Sequence, residues 1–147
     1  MTNDSHKTSS IYGCKLITLD KHHHKNGNLS VVENNNQLPF AINRVYYLYD
    51  VPGGVERGGH SHRLCHEFII AASGSFDIEI DDGKNKCKMT LNRSNCGLLV
   101  PPGIWRVLNN FASGSVCLVV ASDCYSEDDY VRDYTEFQRL TSNKSCK

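Results

Sequence analysis

The feature that most constrains the fold is the stretch from Gly54 to Gly74, which is rich in histidine and glycine. His60 and His62 lie two residues apart, and Glu67 follows them. In a β-strand, side chains two residues apart point to the same face, so the two imidazoles would project together. The apolar run 68–72 has no polar alternation, which predicts a strand buried on both faces. The stretch therefore predicts imidazoles held rigidly in a sheet, in a setting suited to proton transfer or metal binding.

The remainder of the chain reads as short strands separated by turns. Residues 44–51 are the clearest strand, with Tyr46 and Leu48 on one face and Tyr47 and Tyr49 on the other. We interpret Tyr47, Tyr49 and Trp105 as core residues. Short strands at regular spacing indicate a β-sandwich or barrel. The further predicted strands are 14–19, 29–33, 75–80, 87–91, 97–100, 105–108 and 115–121.

The pattern changes at Ser126, where the sequence Ser-Glu-Asp-Asp resembles a capping box at the start of a helix. A short helix, or an extended tail folded back on the barrel, is predicted from there to about Leu140. The predicted organisation is a flexible leader at 1–12, a single domain at 13–140 and a flexible tail at 141–147.

Composition excludes several classes of protein. Lys+Arg and Asp+Glu are balanced at 16 each in 147 residues, so no global field attracts nucleic acid or an acidic membrane. No apolar stretch approaches the ~20 residues that a membrane-spanning helix needs. The chain has seven cysteines, an odd number, without CxxC spacing. This argues against a disulfide framework and predicts a cytoplasmic protein.

Four side chains are candidates for a site inside the barrel: Tyr46, His60, His62 and Arg106. Histidine moves protons near neutral pH, and arginine can steady an enolate oxygen or clamp a phosphate. Together they suit proton abstraction next to a ketone in a phosphate-bearing substrate. His66 is out of phase with the pair, and a structural or surface role is favoured for it. Glu67 either enters the pocket or pairs with Arg63 or Arg57 at the surface.

The spacing of Gly54, His60, His62, Glu67 and Gly74 resembles the first motif of the cupin superfamily, and residues 101–110 resemble the second. This resemblance implies an all-β fold, the double-stranded β-helix or jelly-roll barrel. Arg106 stands where metal-binding cupins place their last histidine.

A narrower resemblance rests on six segments that occur in order: 44–49, 57–63, 73–76, 100–105, 118–122 and 129–137. They resemble the dTDP-4-keto-6-deoxyglucose 3,4-ketoisomerases, cupins of deoxysugar pathways, over about residues 14–139. The resemblance implies a homodimer that binds a dTDP-linked keto-sugar and moves its keto group from C4 to C3, without a metal or other cofactor. It implies His60 as the base, with His62 and Tyr46 also catalytic. The substrate-binding residues expected are Arg106, Arg57, Glu67, Tyr130 and Arg132.

Two alternatives stay open at this point. Many members of that family have glutamine where this chain has Glu67, and His60, His62 and Glu67 form a 2-His-1-carboxylate set. That set is typical of a metal-dependent cupin, such as an oxygenase or a sugar epimerase or isomerase. The other alternative is a non-catalytic cupin that binds a sugar nucleotide.

Overall fold

The computed structural model describes residues 11–144, which form two five-stranded antiparallel sheets, a two-stranded hairpin and a C-terminal helix. One sheet has the order β1-β9-β6-β11-β4, the other β12-β5-β10-β7-β8, and β2 pairs with β3 in the hairpin. The strands are β1 (Lys15–Thr18), β2 (His22–His24), β3 (Gly27–Leu29), β4 (Arg44–Leu48), β5 (Arg57–His62), β6 (Glu67–Ser73), β7 (Phe76–Asp81), β8 (Lys86–Leu91), β9 (Cys96–Val100), β10 (Trp105–Asn109), β11 (Val116–Ala121) and β12 (Tyr130–Val131). A 3-10 helix spans Glu127–Asp129, and helix α1 spans Tyr134–Lys144.

The main core lies between the inner faces of the two sheets. It includes Ile69 and Val119 from one sheet and Ile78 and Leu108 from the other, all fully buried. The apolar residues of β7 and β8 alternate toward this layer, as expected for strands with one face in a core. The predicted all-β cupin barrel is confirmed.

A second apolar cluster explains why β6 is buried on both faces. Leu38 and Phe40, from the irregular segment before β4, pack with Phe68 and Ile70 on the outer face of the first sheet. The prediction for 68–72 is therefore confirmed over 68–71, whereas Ala72 is exposed. The strand that bears Glu67 at its start is thus held between two apolar layers, which gives the site a rigid base.

The prediction that Tyr47 and Tyr49 belong to the core is wrong. Tyr47 is 59% and Tyr49 62% exposed, because β4 is the edge strand of its sheet and the adjoining part of its outer face is uncovered. The alternation itself is confirmed, since Tyr46 and Leu48 pack against the main core. The predicted strand 29–33 is also wrong, because β3 ends at Leu29 and the chain then follows an irregular path.

The helix begins later than predicted. Ser126 precedes only the 3-10 turn and makes no side-chain cap, whereas Oδ1 of Asp133 accepts the backbone N–H of Thr135 at 2.8 Å at the start of α1. Phe137 is buried against Trp105, with ring centroids 5.6 Å apart, so the helix is docked on β10.

The domain bounds remain a prediction, since residues 1–10 and 145–147 of the leader and tail lie outside the described residues. Two details differ from the prediction. Ile11 is fully buried in the main core, and residues 141–144 belong to α1. None of the helices in the described part of the chain has the length and apolar character to cross a membrane.

Candidate active site

The histidine pair projects from β5, which lies between β12 and β10 in the second sheet. β10 runs antiparallel beside it and places Arg106 opposite His60. The geometry depends on Gly58, which has a positive φ of 72°, a conformation that favours glycine. A Cβ atom at that position would overlap Nη1 of Arg106. The missing side chain of Gly58 therefore makes room for the guanidinium of Arg106 in the barrel.

Below the histidines, Tyr46, Glu67 and Arg106 form a hydrogen-bonded network that we call the barrel floor. Nε of Arg106 donates to Oε1 of Glu67 at 2.7 Å, and Nη2 donates to Oε2 at 3.1 Å. The hydroxyl of Tyr46 donates to Oε2 of Glu67 and accepts from Nη2 of Arg106 at 2.7 Å. Glu67 and Arg106 are 1% and 2% exposed, so this is a buried ion pair in which both carboxylate oxygens are bonded.

The protonation of the floor follows from these contacts. Burial alone would raise the pKa of Glu67, but the charge and hydrogen bonds of Arg106, together with the neighbouring His62, outweigh it and hold the pKa well below its usual value. Burial raises the pKa of Tyr46, so its hydroxyl keeps its proton at neutral pH. The floor is therefore an anion and a cation that neutralise each other, bridged by a neutral phenol.

His62 is fixed by a carboxylate on each side. Its Nδ1 lies 2.9 Å from Oδ2 of Asp129, and Oδ1 of Asp129 accepts the backbone N–H of Leu64 at 2.6 Å. Because an ionised carboxylate only accepts, Nδ1 of His62 must carry the hydrogen. On the other side, Nε2 lies 3.3 Å from Oε1 of Glu67, without the alignment of a hydrogen bond.

His60 has very different surroundings. Its ring packs edge-to-face on His62 with centroids 4.8 Å apart, and its buried Nε2 has no hydrogen-bond partner among the described residues. Burial and the positive charge of Arg106 lower the pKa of His60 to about 3, against the opposing effect of Glu67. His60 is therefore neutral at physiological pH, the state in which an imidazole accepts a proton.

Above the pair lies a group of aromatic and cationic side chains that we call the rim: Arg44, Tyr125, Tyr130 and Arg132. The ring of Tyr130 lies 4.5 Å from that of His62 and 4.9 Å from that of His60. The guanidinium of Arg132 sits 4.3 Å from the centroid of Tyr130 and is held by Glu127 through contacts of 2.6 and 3.0 Å. Tyr130 is thus in contact with both histidines and with the guanidinium of Arg132.

Most of the predicted site residues lie together. The structure brings together seven of them: Tyr46, His60, His62, Glu67, Arg106, Tyr130 and Arg132. The open question for Glu67 is resolved, since it pairs with Arg106 in the interior and not with Arg63 or Arg57. Arg57 is exposed at the start of β5. His66 packs on Phe40 with centroids 5.9 Å apart, in line with the structural role favoured for it.

Sequence analysis missed Asp129 and Arg44. Asp129 was interpreted as part of a helix cap, whereas β12 pairs Tyr130 with His62 and so brings the neighbouring carboxylate to the imidazole. The pairing of β12 with β5 leaves no local pattern in the sequence, so no signal could have revealed the position of Asp129. Arg44 begins β4 as predicted, but its position beside Tyr130 depends on tertiary packing.

The cupin fold raises the question of a metal, and the ligand atoms of His60, His62 and Glu67 do lie within 4.8 Å of one another. However, both oxygens of Glu67 are bound by Arg106, whose fixed positive charge lies where a cupin metal site needs another ligand. A divalent cation there would face repulsion from the guanidinium and would have to displace a buried ion pair. His60, His62 and Glu67 therefore do not fit a metal.

Comparison with known proteins identifies the family. The model of the family described as "FdtA: WxcM-like, C-terminal" matches residues 12–142. The chain belongs to the FdtA family. A curated relative of this FdtA-family chain, the TDP-4-oxo-6-deoxy-alpha-D-glucose-3,4-oxoisomerase of Aneurinibacillus thermoaerophilus, is 37% identical over 125 residues, 85% of this chain and 90% of the relative.

Solved structures agree with this assignment. The WlaRB TDP-quinovose 3,4-ketoisomerase of Campylobacter jejuni is 42% identical with a TM-score of 0.84, over 88% of this chain and 99% of that one. A mutant of the QdtA 3,4-ketoisomerase of Thermoanaerobacterium thermosaccharolyticum, in complex with TDP-4-keto-6-deoxyglucose, is 33% identical with a TM-score of 0.89, over 90% and 96%. The resemblance inferred from the sequence is confirmed, and this FdtA-family chain is an isomerase of the 3,4-ketoisomerase type.

Proposed function

We propose that this isomerase converts a dTDP-4-keto-6-deoxyhexose into the dTDP-3-keto-6-deoxyhexose. The observation that carries the proposal is the contrast between the neutral His60 and the carboxylate-flanked His62, in a chain whose relatives are named as TDP-sugar 3,4-ketoisomerases. Two neighbouring imidazoles in different surroundings suit a reaction that removes one proton and returns another.

In the first step, His60 removes the proton at C3 of the sugar, which the neighbouring C4 ketone makes acidic. The electron pair of the broken C–H bond forms a C3–C4 double bond, and negative charge moves to the C4 oxygen. His60 is unprotonated in the resting enzyme, and its Nε2 has no hydrogen-bond partner among the described residues, so this nitrogen is free to accept the proton.

In the second step, a proton is returned at C4, while the C3 hydroxyl loses its hydrogen to become the ketone and the C4 oxygen gains one. We assign stabilisation of the enediolate to His62, with Arg106 adding a fixed positive charge from below. Substrate and product have the same oxidation level, so the step balances without an electron acceptor.

Tyr46 was predicted as a relay between the two carbons. Its hydroxyl donates to Glu67 and accepts from Arg106, and this bonding supports a positioning role over a direct relay. Arg106 and Glu67 were predicted to bind substrate, and their near-complete burial supports an indirect action, by Glu67 through His62 and by Arg106 through its charge. For Arg57, Tyr130 and Arg132 we retain the predicted contact with the substrate. Tyr130 and Arg132 border the histidines, which supports this assignment for those two.

We also propose that the enzyme is a cytoplasmic homodimer. The exposed face of edge strand β4, with Val45, Tyr47 and Tyr49 all more than half exposed, supports a subunit interface. The thiols of Cys65 and Cys117 are free, which supports a reducing compartment. Light scattering after gel filtration tests the dimer, and a monomeric mass would contradict it.

The direct test of the function is product identification by NMR after incubation with dTDP-4-keto-6-deoxyglucose in D2O. We expect the dTDP-3-keto-6-deoxy sugar, with deuterium at C4. Recovery of unaltered substrate would refute the proposal. A parallel incubation with EDTA should run at the same rate, and a loss that added metal restores would favour the metal-dependent alternative.

A further inference from the structure

Arg44 on the rim has no anionic partner among residues 11–144. Its Nη1 donates to the hydroxyl of Tyr130 at 3.4 Å and its Nη2 to the sulfur of Cys65 at 3.9 Å, both long contacts to neutral groups. Its Nε is buried and has no hydrogen-bond partner in the described part of the chain. The guanidinium also lies 5.3 Å from the ring centroid of Tyr46 and 5.7 Å from that of Tyr125.

The other two arginines close to the histidines are neutralised by the fold. Arg106 is bound by Glu67 through contacts of 2.7 and 3.1 Å, and Arg132 by Glu127 through contacts of 2.6 and 3.0 Å. Arg44 differs from both: it is half-buried, whereas Arg106 is buried and Arg132 is exposed. No carboxylate of residues 11–144 forms an ion pair with Arg44.

A guanidinium partly removed from water needs an anion for its five donors, since unpaired buried charge is costly. Cation–π contacts with aromatic rings stabilise the cation in part, but the rings accept no strong hydrogen bonds. The surroundings of Arg44 therefore supply a shaped aromatic setting for a cation and leave its strongest interaction to a ligand.

We propose that Arg44 is the anion subsite of the enzyme and binds the diphosphate of the nucleotide-sugar substrate. The inference rests on the proposed function. Tyr130 connects the two sites, since its ring packs on both histidines and its hydroxyl accepts from Arg44. In a nucleotide sugar the diphosphate is attached to C1, two carbons from the reacting C3, so a sugar at the histidines carries its phosphates to this neighbourhood. The planar fork of arginine matches phosphate oxygens in pairs.

The test is calorimetric binding of dTDP and of thymidine to the wild type and to Arg44→Gln. We expect the variant to bind dTDP roughly 10- to 100-fold more weakly, as for the loss of a charged hydrogen bond, while its thymidine affinity stays within about threefold. KM for the sugar nucleotide should rise by a similar factor, with kcat within about fivefold. Arg139→Gln is the matched control, because Arg139 is an exposed arginine paired with Glu136 on α1.

Equal dTDP affinity in wild type and Arg44→Gln would overturn the inference and leave the proposed function intact. A wild type that binds no dTDP would overturn both. Arg44→Lys covers the case in which the glutamine variant fails to fold: it keeps the charge without the fork, and we expect an intermediate loss of dTDP affinity, about 3- to 10-fold. Unchanged dTDP affinity in a folded Arg44→Lys variant would contradict a diphosphate role. An equal loss of thymidine affinity in either variant would contradict it as well.

Discussion

The barrel floor and Arg44 of the rim differ in how their charges are paired. On the floor, the carboxylate of Glu67 and the guanidinium of Arg106 bind each other within 3.1 Å, and the hydroxyl of Tyr46 is bonded to both. On the rim, Arg44 has only long contacts to neutral groups, and just beneath it Nε2 of His60 has no partner within residues 11–144. Folding alone pairs the charges of the floor, whereas Arg44 and His60 are arranged for a substrate.

This difference implies that the floor and the rim have separate roles. A floor built on a hydrogen-bonded ion pair is rigid and fixes the electrostatic environment of the histidines. Burial and the positive charge of Arg106 keep His60 unprotonated, and the carboxylates of Glu67 and Asp129 flank His62. Substitutions in the floor should therefore reduce stability first, while substitutions at the histidines and the rim should reduce turnover or binding.

The largest effect is expected from His60→Asn, which removes the proposed base. We expect kcat to fall by about 10²- to 10⁴-fold, with dTDP affinity and the unfolding midpoint close to those of the wild type. Steady-state kinetics and calorimetry measure these quantities. His66→Asn is the control, because His66 packs on Phe40 away from the pair and should keep kcat within about threefold. Near-normal turnover in His60→Asn would show that the base is another residue.

Next in size is Glu67→Gln, which leaves the buried guanidinium of Arg106 without its counterion. We expect a loss of about 3–5 kcal/mol in the free energy of unfolding, measured by urea denaturation. Glu136→Gln breaks an exposed ion pair and should cost about 1 kcal/mol or less. If the two variants lose similar amounts, the floor does not depend on its ion pair and the comparison with the rim fails.

Asp129→Asn should have an intermediate effect on catalysis. An asparagine amide can donate to Nδ1 of His62 and so favour the wrong tautomer, and we expect kcat to fall about 10- to 100-fold. KM should stay within about threefold, because Asp129 acts through His62 and does not touch substrate. The exposed neighbour Asp128 provides the control Asp128→Asn. A rise in KM with kcat unchanged would instead indicate that Asp129 contacts the ligand.

The smallest effect concerns stability as a function of pH. The pKa of His60 is lowered from 6.5 to about 3 by folding, so between these values the unfolded chain binds a proton that the folded protein does not. Stability from this group is present above pH 6.5 and is lost as the pH falls, at about 1.4 kcal/mol per pH unit. From pH 6.5 to about 5 the wild type should lose roughly 2 kcal/mol more than His60→Asn in urea denaturation. Parallel losses would mean that His60 titrates normally.

The sequence predicted those parts of the structure that depend on local pattern. The alternation of 44–48 and the buried run 68–71 are properties of neighbouring residues, and the spacing of His60 and His62 placed both on one strand. The parts that failed depend on distant contacts. Whether Tyr47 is covered depends on what packs on an edge strand, and the Asp129–His62 contact joins residues 67 positions apart. The apparent cap at Ser126 was overridden because β12 pairs with β5 directly after it.

The lack of a side chain at Gly58 has a consequence for the chemistry of the site. Since any larger substituent there would collide with the guanidinium of Arg106, the position of that cation depends on a glycine in the adjacent strand. Together with burial, the charge of that cation lowers the pKa of His60, two residues further along the strand. Acid–base behaviour in this barrel is therefore encoded partly by a residue that can neither bind nor lose a proton.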